Sequence, residues 1–108
     1  MVDINNLETM LESGQDTALL RFTLGNAFIR KEKFEQAVDH LARAVELDPG
    51  YSAAWKAYGK ALASLGETAQ AAEIYRQGIA IAHGKGDKQA AREMEVFLKR
   101  LTRSDSSG

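Results

Sequence analysis

His40 and His83 are the two histidines of this 108-residue chain and the first places to look for acid–base or metal chemistry. His40 follows Asp39 directly, but sequence neighbours on a helix point to different sides, so the pair forms no dyad. Neither histidine sits in an H-E-x-x-H frame, and the chain has no cysteine, so no metal-ligand pattern emerges. Both read as surface histidines. Gly84-Lys85-Gly86-Asp87 has the glycines and the lysine of a phosphate-holding loop. It follows a helical stretch, however, and lacks the G-x-x-x-x-G-K-S/T frame, so it reads as a helix break. No nucleophile–base pair and no paired acids stand out. The expectation is a chain that catalyses nothing and uses no metal or cofactor. Lys56 and Lys60 are a different case. They lie four residues apart, on one helix face, and an ammonium pair can hold a carboxylate.

These residues must be carried by helices. Ile4, Leu7, Met10 and Leu11 make one face of a short helix that Ser13-Gly14 ends. Asp16 or Thr17 caps a second, running to about Arg30 with Leu20, Leu24, Ala27 and Phe28 inward. A third starts at Phe34, carries Ala37, Val38, Leu41, Ala44 and Val45, and stops at Pro49. Ser52 caps a fourth with Trp55, Tyr58, Gly59 and Leu62. A fifth spans about Thr68 to Ala82, broken by "HGKGD"; a sixth, over 87–102, turns Ala90, Ala91, Met94, Phe97, Leu98 and Leu101 to one side. Residues 104–108 are polar and are expected to be disordered. Loops this short make neighbouring helices antiparallel.

Apolar residues are 44% of the chain and charged residues 27%, which is ordinary for one soluble domain. A net charge of −1 gives no general attraction to nucleic acid or to an anionic membrane. The amino terminus is acidic and amphipathic, unlike a secretory signal, and no run approaches the ~18 apolar residues of a spanning helix. A cytoplasmic, stand-alone module is expected.

Shifting the chain by 34 residues superposes Gly25 on Gly59, Ala27 on Ala61 and Ala37 on Ala71, and pairs Leu41 with Tyr75 and Val45 with Ile79. A period of that length belongs to helix-turn-helix arrays. Small residues stand where helices touch, and large ones fill the spaces between. On these residues the chain resembles the tetratricopeptide repeat (TPR) family. Its motif is followed by Leu24, Gly25, Phe28, Ala37, Leu41, Ala44 and Pro49 in residues 18–51, and by Trp55, Tyr58, Gly59, Leu62, Ala71, Tyr75 and Gly78 in residues 52–85. Arg21 departs from it where a large residue such as Trp55 is wanted, and His83 departs where proline is wanted. Residues 1–15 fit as half a repeat and 87–102 as a capping helix. The resemblance implies an all-α fold of about six helices, stacked as hairpins in a right-handed superhelix (an α-solenoid). In it Trp55 is packed and Gly59 marks a close helix contact.

The resemblance also implies a concave groove lined by the first helices of the repeats. It assigns Leu19, Phe22, Asn26, Ile29 and Arg30 to that surface from the first repeat, and Ala53, Lys56, Lys60, Ala63 and Ser64 from the second. The capping helix adds Lys88, Arg92 and Lys99. Phe22 and Lys56, and Asn26 and Lys60, are expected to be neighbours. The groove then has an apolar end at Phe22 and Ile29 and a basic end at Lys56, Lys60 and Arg92. It suits an acidic peptide with an apolar anchor, held by an adaptor protein. Some TPR domains clamp a terminal carboxylate with lysine and asparagine; here Asn26 matches but Phe22 replaces the lysine. A second possibility is a self-associating scaffold. Residues 1–20 hold four acids and no base, and residues 85–103 hold six bases against three acids, so the ends carry −4 and +3. Either way the chain is a monomer or a weak self-associator.

Overall fold

The structure is a computed structural model that describes residues 3–106, with side chains to residue 103. Helices run in the order α1 (Ile4–Glu12), α2 (Ala18–Arg30), α3 (Phe34–Leu47), α4 (Ser52–Ser64), α5 (Thr68–Lys85) and α6 (Lys88–Ser106). There is no strand among the described residues, and none of their helices is long and apolar enough to cross a membrane. The helices stack along one axis, giving extents of 45 × 31 × 22 Å. Each helix from α2 to α5 packs on its successor in the chain, and α2, α4 and α6 also lie side by side as an inner layer. α1 touches only α2.

The helix starts follow local chemistry, with some changes from the expected pattern. Asp3 Oδ1 accepts from the Asn5 N–H at 3.0 Å, and Thr17 Oγ1 accepts from the Leu20 N–H at 3.1 Å. Thr17 is thus the cap of α2, which leaves Asp16 for another task. Tyr51, not Ser52, stands at the cap position of α4. Ser52 is already helical, and its hydroxyl is buried with no hydrogen-bond partner. α5 does not end near Ala82. It continues through His83-Gly84-Lys85 to Gly86, whose φ of +76° takes the left-handed cap. The added turn places Lys85 Nζ 2.7 Å from the Gly50 carbonyl oxygen, tying the end of α5 to the loop before α4. Asp87 Oδ1 then caps α6, accepting from the Ala90 N–H at 3.2 Å. α6 continues past residue 103, so 104–106 are helical instead of a tail; 107 and 108 lie outside the described residues.

The turns within the two hairpins use the same device. Gly66 follows α4 with φ +79°, and Glu32 follows α2 with φ +57°. In each case the next N–H reaches back to close the helix: Lys33 to the Phe28 carbonyl at 2.9 Å, Glu67 to the Leu62 carbonyl at 3.0 Å. The first hairpin therefore holds a side-chain-bearing residue where the second has glycine, at a steric cost of about 1–2 kcal/mol.

Packing follows the small-and-large code. A Cβ placed on Gly25 would lie 2.5 Å from Leu41 Cγ, and one on Gly59 would enter the Tyr75 ring. Leu24, Leu41 and Met94 are the largest fully buried side chains. Trp55 is 8% exposed, and its indole N–H donates to the Pro49 carbonyl at 2.8 Å, so the residue that stops α3 also satisfies the tryptophan of α4.

Candidate peptide-binding groove

On α2, Phe22, Asn26 and Ile29 share a face, and on α4 so do Ala53, Lys56, Ala57 and Lys60. Because α2 and α4 lie side by side, the two faces meet and line one open hollow of ≈ 250 Å³. Ala53 and Ala57 supply short side chains to its lining, between the longer Lys56 and Lys60. Phe22 is half-buried, with its ring tilted 44° against Tyr51 at a centroid distance of 4.9 Å.

The two lysines are not loose. Lys56 Nζ donates to Glu93 Oε1 at 3.1 Å, and Lys60 Nζ lies 5.5 Å from the centroid of Phe97. Both partners belong to α6, which thereby fixes the cationic side of the hollow. Of the thirteen residues assigned to the groove surface, six line this hollow: Phe22, Asn26, Ile29, Ala53, Lys56 and Lys60. Arg30 and Arg92 do not line the hollow and stand exposed. Glu93 and Phe97 were not foreseen as part of it. A signal for the first exists: Lys56 and Glu93 have opposite charge and lie 37 residues apart, one repeat plus about one turn.

Two other hollows occur. One of ≈ 250 Å³ lies among Ala63, Tyr75, Phe97, Arg100 and Leu101. A wider one of ≈ 620 Å³ separates α1 from the α2–α3 turn, with Glu8 and Asp3 facing Lys31 and Lys33 around Phe28.

The histidines sit far from any reactive arrangement, and among the described residues no group of three or more His, Asp or Glu side chains could hold a metal. His83 is on the surface, 3.5 Å from Glu95. His40 is not the surface residue expected. It is half-buried, stacked on Phe28 at 5.5 Å and 4°, and its Nδ1 accepts from Arg21 Nη1 at 3.1 Å. Arg21 also donates to both carboxylate oxygens of Asp16, at 2.7 and 3.2 Å. Asp16, Arg21 and His40 so replace the large side chain that the repeat pattern wants at position 21. Burial and then the Arg21 charge hold His40 below its ordinary pKa, and the Arg21 hydrogen bond lowers that of Asp16. Burial pushes the Tyr75 hydroxyl up to about 12.

Two hairpins with interlocking small and large positions, laid side by side by their first helices, narrow the possibilities to one architecture. A tetratricopeptide repeat family model matches residues 22–85. The chain belongs to the tetratricopeptide repeat family. It is 50% identical to the TPR repeat-containing protein PA0015 of Pseudomonas aeruginosa over 101 residues, 94% of this chain and 96% of that one. Among solved structures it is similar to protein BPP2914 of Bordetella parapertussis, at 43% identity and a TM-score of 0.85, covering 98% of this chain and 92% of that one. The second TPR domain of human RPAP3, solved in complex with the HSP70 peptide SGPTIEEVD, matches at 25% identity and a TM-score of 0.76. That match covers 92% of this chain and 78% of the other. The TPR solenoid explains why α2, α4 and α6 form the inner layer: they are the first helices of successive hairpins.

Proposed function

We propose that this TPR domain is a protein-binding adaptor that holds an acidic peptide segment, anchored by an apolar side chain, in the hollow between α2 and α4. The observation that carries this reading is the meeting of Phe22 and Ile29 with Lys56 and Lys60 around one open hollow. An apolar anchor gains by covering the half-buried Phe22 ring, and a carboxylate gains by hydrogen bonding to an ammonium. A related TPR domain holds a peptide whose end reads Glu-Glu-Val-Asp. Here Phe22 replaces the lysine of a carboxylate clamp, which favours apolar contact at that end over capture of a chain terminus. The incoming carboxylate takes the place of Glu93 at Lys56, so binding is an exchange of one ion pair for another. Such exchange gives specificity more than strength.

Photo-crosslinking with mass-spectrometric identification tests this. A benzoylphenylalanine at Ala53 looks into the hollow, and one at the exposed Gln77 of α5 serves as the control. Segments joined at position 53 are expected to combine Asp or Glu with a bulky apolar residue, and to vanish with Phe22→Ala. Equal yield from position 77, or yield at 53 that survives Phe22→Ala, refutes the groove.

A further inference from the structure

The outward faces of α3 and α6 carry opposite charge in matching order. The inward face of α3 is set by Ala37, Leu41 and Ala44, all at 0% exposure, which turns Glu35, Asp39 and Glu46 outward, with Ala42 between the last two. The inward face of α6 is set by Ala91 and Met94, also at 0%, which turns Arg92, Val96 and Lys99 outward, with Arg103 continuing the line. Val96 is 41% exposed, an apolar residue set among bases.

Residues of the wrong sign are drawn aside. Arg43, beside the acids of α3, is held by Asp16 at 3.4 Å and lies 3.8 Å from Glu46. Glu93 is held by Lys56 at 3.1 Å, and Glu95 lies 3.5 Å from His83. Each outer stripe therefore keeps a net charge of one sign over about two turns, with Arg43 as the one base among the acids of α3. Like charges one turn apart, such as Glu35 and Asp39, repel and destabilise their own helix slightly. An opposite stripe would relieve both.

We propose that the occupant of the α6 stripe is the α3 stripe of a second copy of this chain, packed antiparallel. The spacing selects the direction. Along α3 the steps from Asp39 to Ala42 to Glu46 are three then four; along α6 the steps from Arg92 to Val96 to Lys99 are four then three. The antiparallel arrangement brings all three into register, whereas a parallel one matches the charged ends but leaves Ala42 and Val96 one residue apart. It sets Glu46 against Arg92, Ala42 against Val96, and Asp39 against Lys99, an apolar contact between two ion pairs. The amino-terminal acids are a poorer counterpart. Asp3 caps α1, Asp16 is bound to Arg21 and Arg43, and Glu8 is half-buried, leaving Glu12. The contact joins two different faces, so copies add head to tail. It is small, and exposed ion pairs are weak and screened by salt, so association is transient and strongest at low ionic strength.

The absence of native cysteine allows a direct test. Ala42→Cys and Val96→Cys are made as separate chains, checked for helicity, mixed in equal amounts and equilibrated in a glutathione buffer. At about 50 mM salt the 42–96 disulfide is expected to exceed its statistical share roughly fivefold over the 42–42 and 96–96 products, and to return to that share at about 500 mM. Adding Arg92→Glu to the Val96→Cys chain removes the excess, and adding Glu46→Arg to the Ala42→Cys chain then restores it. A statistical mixture at low salt overturns the proposal, as does an excess indifferent to Arg92→Glu. Neither Phe22 nor Lys56 lies in the contact or is changed in any of these variants, so this test and that of the groove can fail separately.

Discussion

Replacing Gly59 by alanine isolates the contact that sets the spacing of α4 and α5. On helix propensity alone the change is favourable by about 1 kcal/mol. The surroundings oppose it. The new methyl would lie 2.6 Å from Tyr75 Cδ1 and 2.8 Å from Tyr75 Cζ, closer than carbon atoms pack. The ring cannot step aside, since Tyr75 is 2% exposed and lies 5.9 Å from Phe97. The helices must therefore part, and forced overpacking costs about 1–3 kcal/mol. Net destabilisation of up to about 2 kcal/mol is expected, which for a domain of this size lowers the melting temperature by up to roughly 10 °C. Thermal unfolding followed by circular dichroism reads it. Gly84→Ala is the control: Gly84 is also helical but has nothing within 4 Å of its would-be Cβ, so propensity alone acts and the variant should gain up to about 1 kcal/mol. Tyr75→Leu combined with Gly59→Ala should cost less than the two changes summed. A Gly59→Ala protein that melts at or above the parent refutes the close-contact argument.

Other expectations follow from single residues. His40 is held neutral in the fold, so its contribution is present above its ordinary pKa of 6.5 and is lost as pH falls through the lower native value. Urea unfolding between pH 7.5 and 5 should show this decline, and His40→Gln should flatten it. Ser52→Ala removes a buried hydroxyl with no partner and is expected to raise stability by about 1 kcal/mol in urea unfolding. Glu32→Gly relieves the left-handed backbone at φ +57° and is expected to raise the melting temperature by a few degrees, about 1 kcal/mol. Glu93→Gln frees Lys56, so a peptide carrying an acid beside an apolar residue should bind severalfold more tightly by calorimetry, whereas Lys56→Glu should abolish the gain.

Much of the fold was legible because its information is local or periodic. Pro49 stops α3 wherever the rest of the chain lies, and the Gly25/Leu41 and Gly59/Tyr75 pairs repeat with the period of the hairpin. The groove came from the family resemblance, which assigned Phe22, Asn26, Ile29, Lys56 and Lys60 to one surface, and these residues line one hollow. What escaped depends on contacts between elements with no shared period. Arg21 was visible as a departure, but its partners Asp16 and His40 come from a loop and from the next helix. The extra turn of α5 runs against the low helix propensity of Gly84; Ala82 at 0% exposure and the reach of Lys85 to Gly50 accompany it. The pinning of Lys56 and Lys60 required the rotation of α6 about its own axis, which the positions of Glu93 and Phe97 reveal only once Met94 is seated.

The light seating of α1 has a consequence for how the domain comes apart. α1 has no buried residue and rests on one neighbour, whereas α6 is keyed in by Met94 and linked to both α4 and α5. A stacked array loses its helices from whichever end is held least. Here the amino end peels first, baring Leu20 and Phe28 while the carboxyl-terminal hairpin keeps its shape. Unravelling of this stack is thus directional.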